Sequence, residues 1–206
     1  HDPRRGHDRA SLQAQLDVAQ ALGAEPWLEA VIAATDDAGA EAEVTALGAT
    51  VAGLGAPFAT VLLSPAPDLK CTLPGSVWPE APDAAALARV ARRAFPGARL
   101  GGGMFSYFTE LNRKRPPVDA LDLVSFTTSA MVHAGDDRSV MESLEALPAI
   151  ARSAAEIARP LPFAVGPSAM GMRANPYGAA PKDNPDNIRQ AMNFNDPRQR
   201  GLLGAA

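Results

Sequence analysis

The stretch richest in chemistry is Gly102-Gly-Met-Phe-Ser-Tyr-Phe-Thr-Glu-Leu-Asn-Arg113, where small residues give way to aromatics and then to Glu110, Asn112 and Arg113. Glycines let a ligand approach the backbone, the Tyr107 ring can lie against a sugar face, and a carboxylate beside them can move protons. The competing reading is a surface ion pair between Glu110 and Arg113, with Tyr107 and Phe108 plugging the core, because loop Glu and Arg side chains are mostly solvated. A second polar stretch, Ser125 to Arg138, contains His133, a residue type that exchanges protons near neutral pH and serves equally well as a structural hydrogen-bonding group. A third, Gly166 to Pro176, carries Arg173 and Asn175, which can fork onto a carboxylate or hydroxyls, or simply be solvated around an Asn-Pro turn.

Other chemistries find little support. His1, His7 and His133 are far apart and no H-E-x-x-H spacing occurs, so no metal is expected. The G-x-S-x-G nucleophile pattern is absent. Gly101-Gly-Gly103 runs into aromatics instead of a helix, which argues against a nucleotide phosphate turn, and no cofactor is expected. Cys71 is the single cysteine, read as a half-buried small hydrophobe; it excludes an internal disulfide and fits a reducing cytoplasm. The net charge of −4 with scattered basic residues offers no nucleic-acid footprint, and no apolar run approaches membrane-spanning length. A small neutral or acidic ligand is the natural partner.

The elements that must position these groups alternate in period. Helical spacing of apolar residues covers Ser11 to Leu22, Val44 to Leu54 and Leu87 to Phe95, with Gly23, Gly55 and Pro96-Gly97 closing them. Strand-length apolar runs lie at 26–32, 58–63, 98–101, 121–127 and 162–166. The run Phe58 to Leu63 is too continuous for a one-sided sheet and predicts a strand buried on both faces. Ser139-Val-Met-Glu142 has capping-box spacing, predicting one helix that starts there and continues through Ala158, with Asp136 and Asp137 favourably placed at its N-terminus. Residues 104–117 lack a helical stripe, and the Pro-, Asn- and Gly-rich segment from Gly166 to Gly201 reads as a long functional loop. Parallel strands with right-handed crossovers leave a closed barrel or an open doubly wound sheet, and the missing phosphate turn favours the barrel. At 206 residues the chain is shorter than the roughly 250 of a whole barrel. The expectation is therefore a partial (β/α)8 TIM barrel of the α/β class, truncated at both ends, with residues 1–206 a fragment of a single catalytic domain. Its polar residues after consecutive strands should converge on one face.

The strings Tyr107-Phe-Thr-Glu-Leu-Asn-Arg113 with Arg115-Pro116, then Val132-His-Ala134 with Asp137 and Ser139, and later Asp196-Pro-Arg198, resemble segments of the D-apionate lactonase family. The resemblance spans the chain and is sharpest over residues 101–145. It implies a glycosidase-like barrel that hydrolyses a five-membered sugar lactone to its open acid, with Glu110 as the leading catalytic candidate and Asn112, Arg113 and His133 as ligand-orienting groups. Taken with the reading of the residues themselves, the catalytic candidates are Glu110 and His133, and the candidate substrate contacts are Tyr107, Asn112, Arg113, Asp137, Arg173 and Asn175. Met104-Phe105-Ser106 and Thr128 to Met131 depart from the family's more polar stretches, which bears on which sugar is taken. Two alternatives remain open: a retaining glycoside hydrolase, which needs two carboxylates about 5–5.5 Å apart and for which Glu29 is the other strand carboxylate, and a non-catalytic carbohydrate-binding barrel.

Overall fold

The computed structural model describes residues 1–103 and 105–205; Met104 of the glycine-rich stretch and the terminal Ala206 lie outside the described residues. Five strands, β1 (Trp27–Ile32), β2 (Thr60–Pro65), β3 (Arg99–Gly102), β4 (Leu123–Thr128) and β5 (Phe163–Ser168), form one parallel sheet in sequential order. Six α-helices accompany them: α1 (Arg9–Ala21), α2 (Asp37–Ala52), α3 (Ala84–Ala94), α4 (Phe108–Lys114), α5 (Asp137–Leu144) and α6 (Leu147–Ala158). Among the described residues no helix is long and apolar enough to cross a membrane.

The two faces of the sheet differ, and the alternation of side chains along each strand shows how. Leu28, Ala30, Ile32, Val61 and Leu63 pack against Leu12 of α1, Val44, Leu47 and Val51 of α2, and Leu87 and Ala91 of α3. Val124 and Phe126 meet Leu111 of α4 with Ala154 and Ala158 of α6. The opposite face carries Val31, Leu62 and Leu123, which close on Ala66, Leu69 and Phe105. A doubly wound sheet buries both faces under helices. Here the helices cover one face while strand order runs 1-2-3-4-5, the arrangement of successive β/α units of a barrel seen from its wall. β2 is buried along its whole length, as its unbroken apolar run requires.

Four of the six helices described start in the same way. Asp8, Asp36, Asp83 and Asp136 each accept a hydrogen bond from the backbone N–H three residues on, which satisfies a donor the helix cannot pair internally. Such a cap contributes about 1 kcal/mol. The capping box expected at Ser139 is therefore displaced: Asp136 is the cap, its carboxylate taking the Ser139 N–H at 2.9 Å, and Glu142 pairs instead with Arg138 at 2.6 Å. The single helix expected through Ala158 is also two helices, parted after Leu144. Pro148 explains the break, since it lacks an N–H and its ring would strike the carbonyl of residue 144 in a continuous helix.

The glycines at the end of β3 serve packing. In the interior row Glu29 stands opposite Leu62, Leu62 opposite Gly101, and Gly101 opposite Leu123. A Cβ at Gly101 would run into Leu62, so its absence lets the leucines of the flanking strands fill the space. Gly103, at φ 129°, would place a Cβ 2.5 Å from the Ser125 carbonyl oxygen. The space that the sequence suggested for a ligand is thus occupied by protein. Replacing Gly103 by Ala is expected to destabilise the fold by about 2–3 kcal/mol through combined backbone strain and overlap. Urea denaturation should show an earlier midpoint with an unchanged slope, and an unshifted midpoint would contradict this packing.

Candidate functional site

The strands end on the side where β3 gives way to Phe105, Ser106 and Tyr107, so that edge gathers the polar residues. Phe105 is buried in the interior cluster, and the Ser106 carbonyl accepts the Thr127 N–H at 3.0 Å, which ties the exit of β3 to that of β4. Tyr107 is the residue before α4, whose first turn carries Glu110. The helix is short because Pro116 and Pro117 follow it, and its buried side is Glu110 with Leu111.

Glu110 is 1% exposed. The Ser106 hydroxyl donates to its Oε2 at 3.2 Å, and Arg113 Nη1 stands 3.6 Å from Oε1. Among the described residues Oε1 has no hydrogen-bond partner. Buried polar atoms are nearly always paired, and the nearest cation to this oxygen is the Arg113 guanidinium. Arg113 is held in turn by the exit of β2: its Nη1 donates to the Thr72 carbonyl at 3.0 Å and lies 3.4 Å from Cys71 Sγ. The surface ion pair that the sequence also allowed is therefore a buried carboxylate with a half-buried guanidinium.

A third exit closes over this pair. After β5 the chain runs irregularly and returns to the loop beyond β2, where Cys71 N–H donates to the Pro176 carbonyl at 2.9 Å and Lys70 Nζ to the Asn175 carbonyl at 3.0 Å. Asn175 Oδ1 accepts from the Tyr177 and Gly178 N–H groups at 2.9 and 3.0 Å, and its Nδ2 donates to the Ala180 carbonyl at 2.9 Å. This turn presents the Tyr177 ring, whose centroid is 6.2 Å from that of His133. Tyr107, Ser129, His133 and Tyr177 line a cleft of about 620 Å³ whose apolar side is formed by Ile150 and Leu147. Burial pushes the Tyr107 hydroxyl well above the usual phenol range, with Tyr177 and Glu110 nearby adding to the effect and a hydrogen bond to Ser129 opposing it. Tyr177 is raised too, by burial first and then by Cys71 and Glu110, against the pull of Arg113. Both therefore stay neutral donors at physiological pH.

The structure thus brings Tyr107, Glu110, Arg113 and His133 to one end of the sheet and sets the other candidates apart. Arg173 pairs with Glu29 and lies over the Phe105 ring at 5.7 Å, in a separate cleft of about 700 Å³ shared with Lys70 and Trp27. Glu29 does face the interior, with Arg173 as its counter-ion. Asn112 is exposed, and its Oδ1 accepts from Arg115 at 2.8 Å. Two residues beyond Glu110 is about 200° around the helix, so Asn112 must face away when Glu110 faces in. Asn175 is consumed by its turn. Asp137 accepts from Arg198 at 2.6 Å and Arg189 at 2.9 Å. Arg198 also grips Asp196, so Asp137 belongs to a clamp on the C-terminal segment. Among the described residues no group of three or more His, Cys, Asp or Glu side chains is arranged to hold a metal ion. Sequence reading missed Ser106, Thr72, Cys71 and Tyr177; of these, Tyr177 alone carried a signal, the Asn-Pro-Tyr-Gly turn that displays it.

Consecutive parallel strands, helices on one face and a polar cleft beyond the strand ends define a TIM-barrel architecture, truncated relative to the full eightfold barrel. The chain belongs to the family described as D-apionate lactonase, TIM barrel domain, which matches residues 1–206. A D-apionate lactonase of Brucella anthropi is 43% identical over 201 residues, covering 98% of this chain and 33% of the relative. The chain thus spans about a third of the length of that protein. No solved structure matches it.

If Asp137 is part of the clamp, its replacement by Ala should lower stability by about 1 kcal/mol, as expected for a half-exposed partner of a buried Arg. An unshifted melting temperature would contradict the clamp.

Proposed function

We propose that this chain carries the catalytic face of a hydrolase that opens a five-membered sugar lactone, D-apionate lactone or a close analogue, to its aldonic acid. Residues 1–206 are read as part of a single TIM-barrel catalytic domain. The observation that carries the reading is the buried Glu110, with one carboxylate oxygen unpaired and Arg113 beside it, on the helix that follows Tyr107 of the aromatic cleft. The relative's name supplies the lactone, and family membership makes the transfer reasonable.

In this reading Glu110 is the general base that takes a proton from water as it attacks the lactone carbonyl. Arg113 is placed to stabilise the developing oxyanion, because a cation close to the base acts where charge appears; Arg173 is committed to Glu29. Tyr107 offers its ring to the sugar face and His133 its nitrogens to hydroxyls at the cleft mouth. The partner is a small-molecule sugar lactone, with neither nucleic acid nor membrane involved, and no cofactor or metal is assigned. We place the protein in the cytoplasm, a location that fits its single cysteine.

Glu110→Gln in the full-length enzyme keeps the shape and removes the base. Turnover of the sugar lactone, followed by acid release at constant pH, should fall by about 10²-fold or more. Unchanged hydrolysis would remove Glu110 from the mechanism.

A further inference from the structure

Lactone opening by water requires two proton transfers, and Glu110 provides only the first. Attack forms the bond from water oxygen to the carbonyl carbon and sends a proton to Glu110. Collapse of the tetrahedral adduct then breaks the bond from that carbon to the ring oxygen, which departs as an alkoxide. An alkoxide is far too basic to leave unprotonated at neutral pH, so a neutral acid must stand on its side of the adduct. Arg113 serves poorly, because guanidinium does not give up its proton in proteins.

Four other groups border the site. Tyr107 is half-buried and is the ring already read as lying against the sugar face. The Cys71 sulfur faces the Arg113 guanidinium at 3.4 Å, and His133 lies on the loop after β4, where among the described residues no hydrogen bond holds its backbone or its ring. Tyr177 differs in how it is held. Its turn is fixed from two directions, by the Asn175 side chain and by the β2 exit through Cys71 and Lys70, while the residue remains 55% exposed and forms part of the cleft wall. A rigid base with an accessible tip is what a positioned proton donor needs.

We infer that Tyr177 is the general acid that protonates the departing ring oxygen, an assignment that rests on the lactone-opening reading above. The phenol proton passes to the alkoxide and makes the sugar hydroxyl of the product. The phenolate left behind takes up the proton that Glu110 received from water, directly or through a water in the cleft. That return is downhill because a carboxylic acid is a far stronger acid than a phenol, and Glu110 and Tyr177 lie within electrostatic reach of each other. The net change is lactone plus water to hydroxy acid, which ionises to solvent, with both residues restored. The upward push on the phenol pKa agrees: the group stays protonated at neutral pH, and its pKa moves towards that of the alcohol it must protonate.

The test compares wild-type full-length enzyme with Tyr177→Phe on a five-membered sugar lactone and on its ring-sulfur analogue, whose thiolate leaving group needs no acid because thiols ionise near pH 8.5. On the lactone, kcat should fall about 10²-fold, as for loss of a general acid, with little change in KM. On the sulfur analogue the deficit should largely vanish. Equal kcat in the two proteins, or equal deficits on both substrates at an unchanged melting temperature, would overturn the assignment and leave the lactone reading intact. Failure of the wild type to open any such lactone would sink both. Should the Phe variant not fold, 3-fluorotyrosine at position 177 keeps the shape and makes the phenol more acidic. The basic limb of the kcat profile should then move to lower pH, and an unmoved limb would overturn the assignment.

Discussion

Removing a carboxylate from water costs several kcal/mol unless donors replace the lost hydration, and Glu110 is the place where this fold accepts that cost. Its hydrogen-bond donor and its counter-ion come from different directions. Ser106 is fixed by the link between the β3 and β4 exits, and Arg113 by the carbonyl of Thr72 beyond β2. Three loops must be in register for the charge to be tolerated at all.

The same register depends on what lies beneath. The interior row from Glu29 through Leu62 and Gly101 to Leu123 permits the strands to approach only because the third position lacks a Cβ. Helices confined to the other face draw that side into a hydrocarbon layer and leave the concave side free for polar groups near the strand ends. Phe105 is the hinge between these layers. Its ring fills the apolar interior beneath Arg173, while the next residue turns a hydroxyl to Glu110.

Much of the fold was legible because its signals are local. Apolar runs such as Phe58 to Leu63 announce a strand buried on both faces, and stripes such as Leu87 with Val90 and Ala91 announce a helix. Where two local signals competed, the weaker was misread: Ser139 and Glu142 have cap spacing, but Asp136 lies one turn earlier and is the better cap, while Pro148 interrupts a stripe that looks continuous. At the site, Glu110 and Arg113 were legible as a pair on one side of a turn. Asn112 was grouped with them by adjacency in sequence, which helical geometry converts into opposition in space. Asp137 and Asn175 looked like ligand contacts because their true partners, Arg198 and the backbone around Tyr177, are specified by tertiary docking.

The segment after β5 shows why such docking can be specific without regular structure. Between Ser168 and Pro197 the described chain contains neither helix nor named strand, so few of its backbone groups are satisfied by a repeating ladder. Point contacts replace the ladder. At one end Asn175 folds its own turn and Lys70 clasps two of its carbonyls; at the other Arg198, with 6% of its side chain exposed, bridges Asp196 and Asp137. An apolar contact of the same size would slide or repack at small cost. A buried guanidinium has no comparable alternative, because every displaced arrangement leaves a charge unpaired at a cost of about 3–5 kcal/mol. The polar clamps thereby fix the position of the segment more sharply than they stabilise it. Tyr177, lying between them, inherits that precision although no strand or helix carries it.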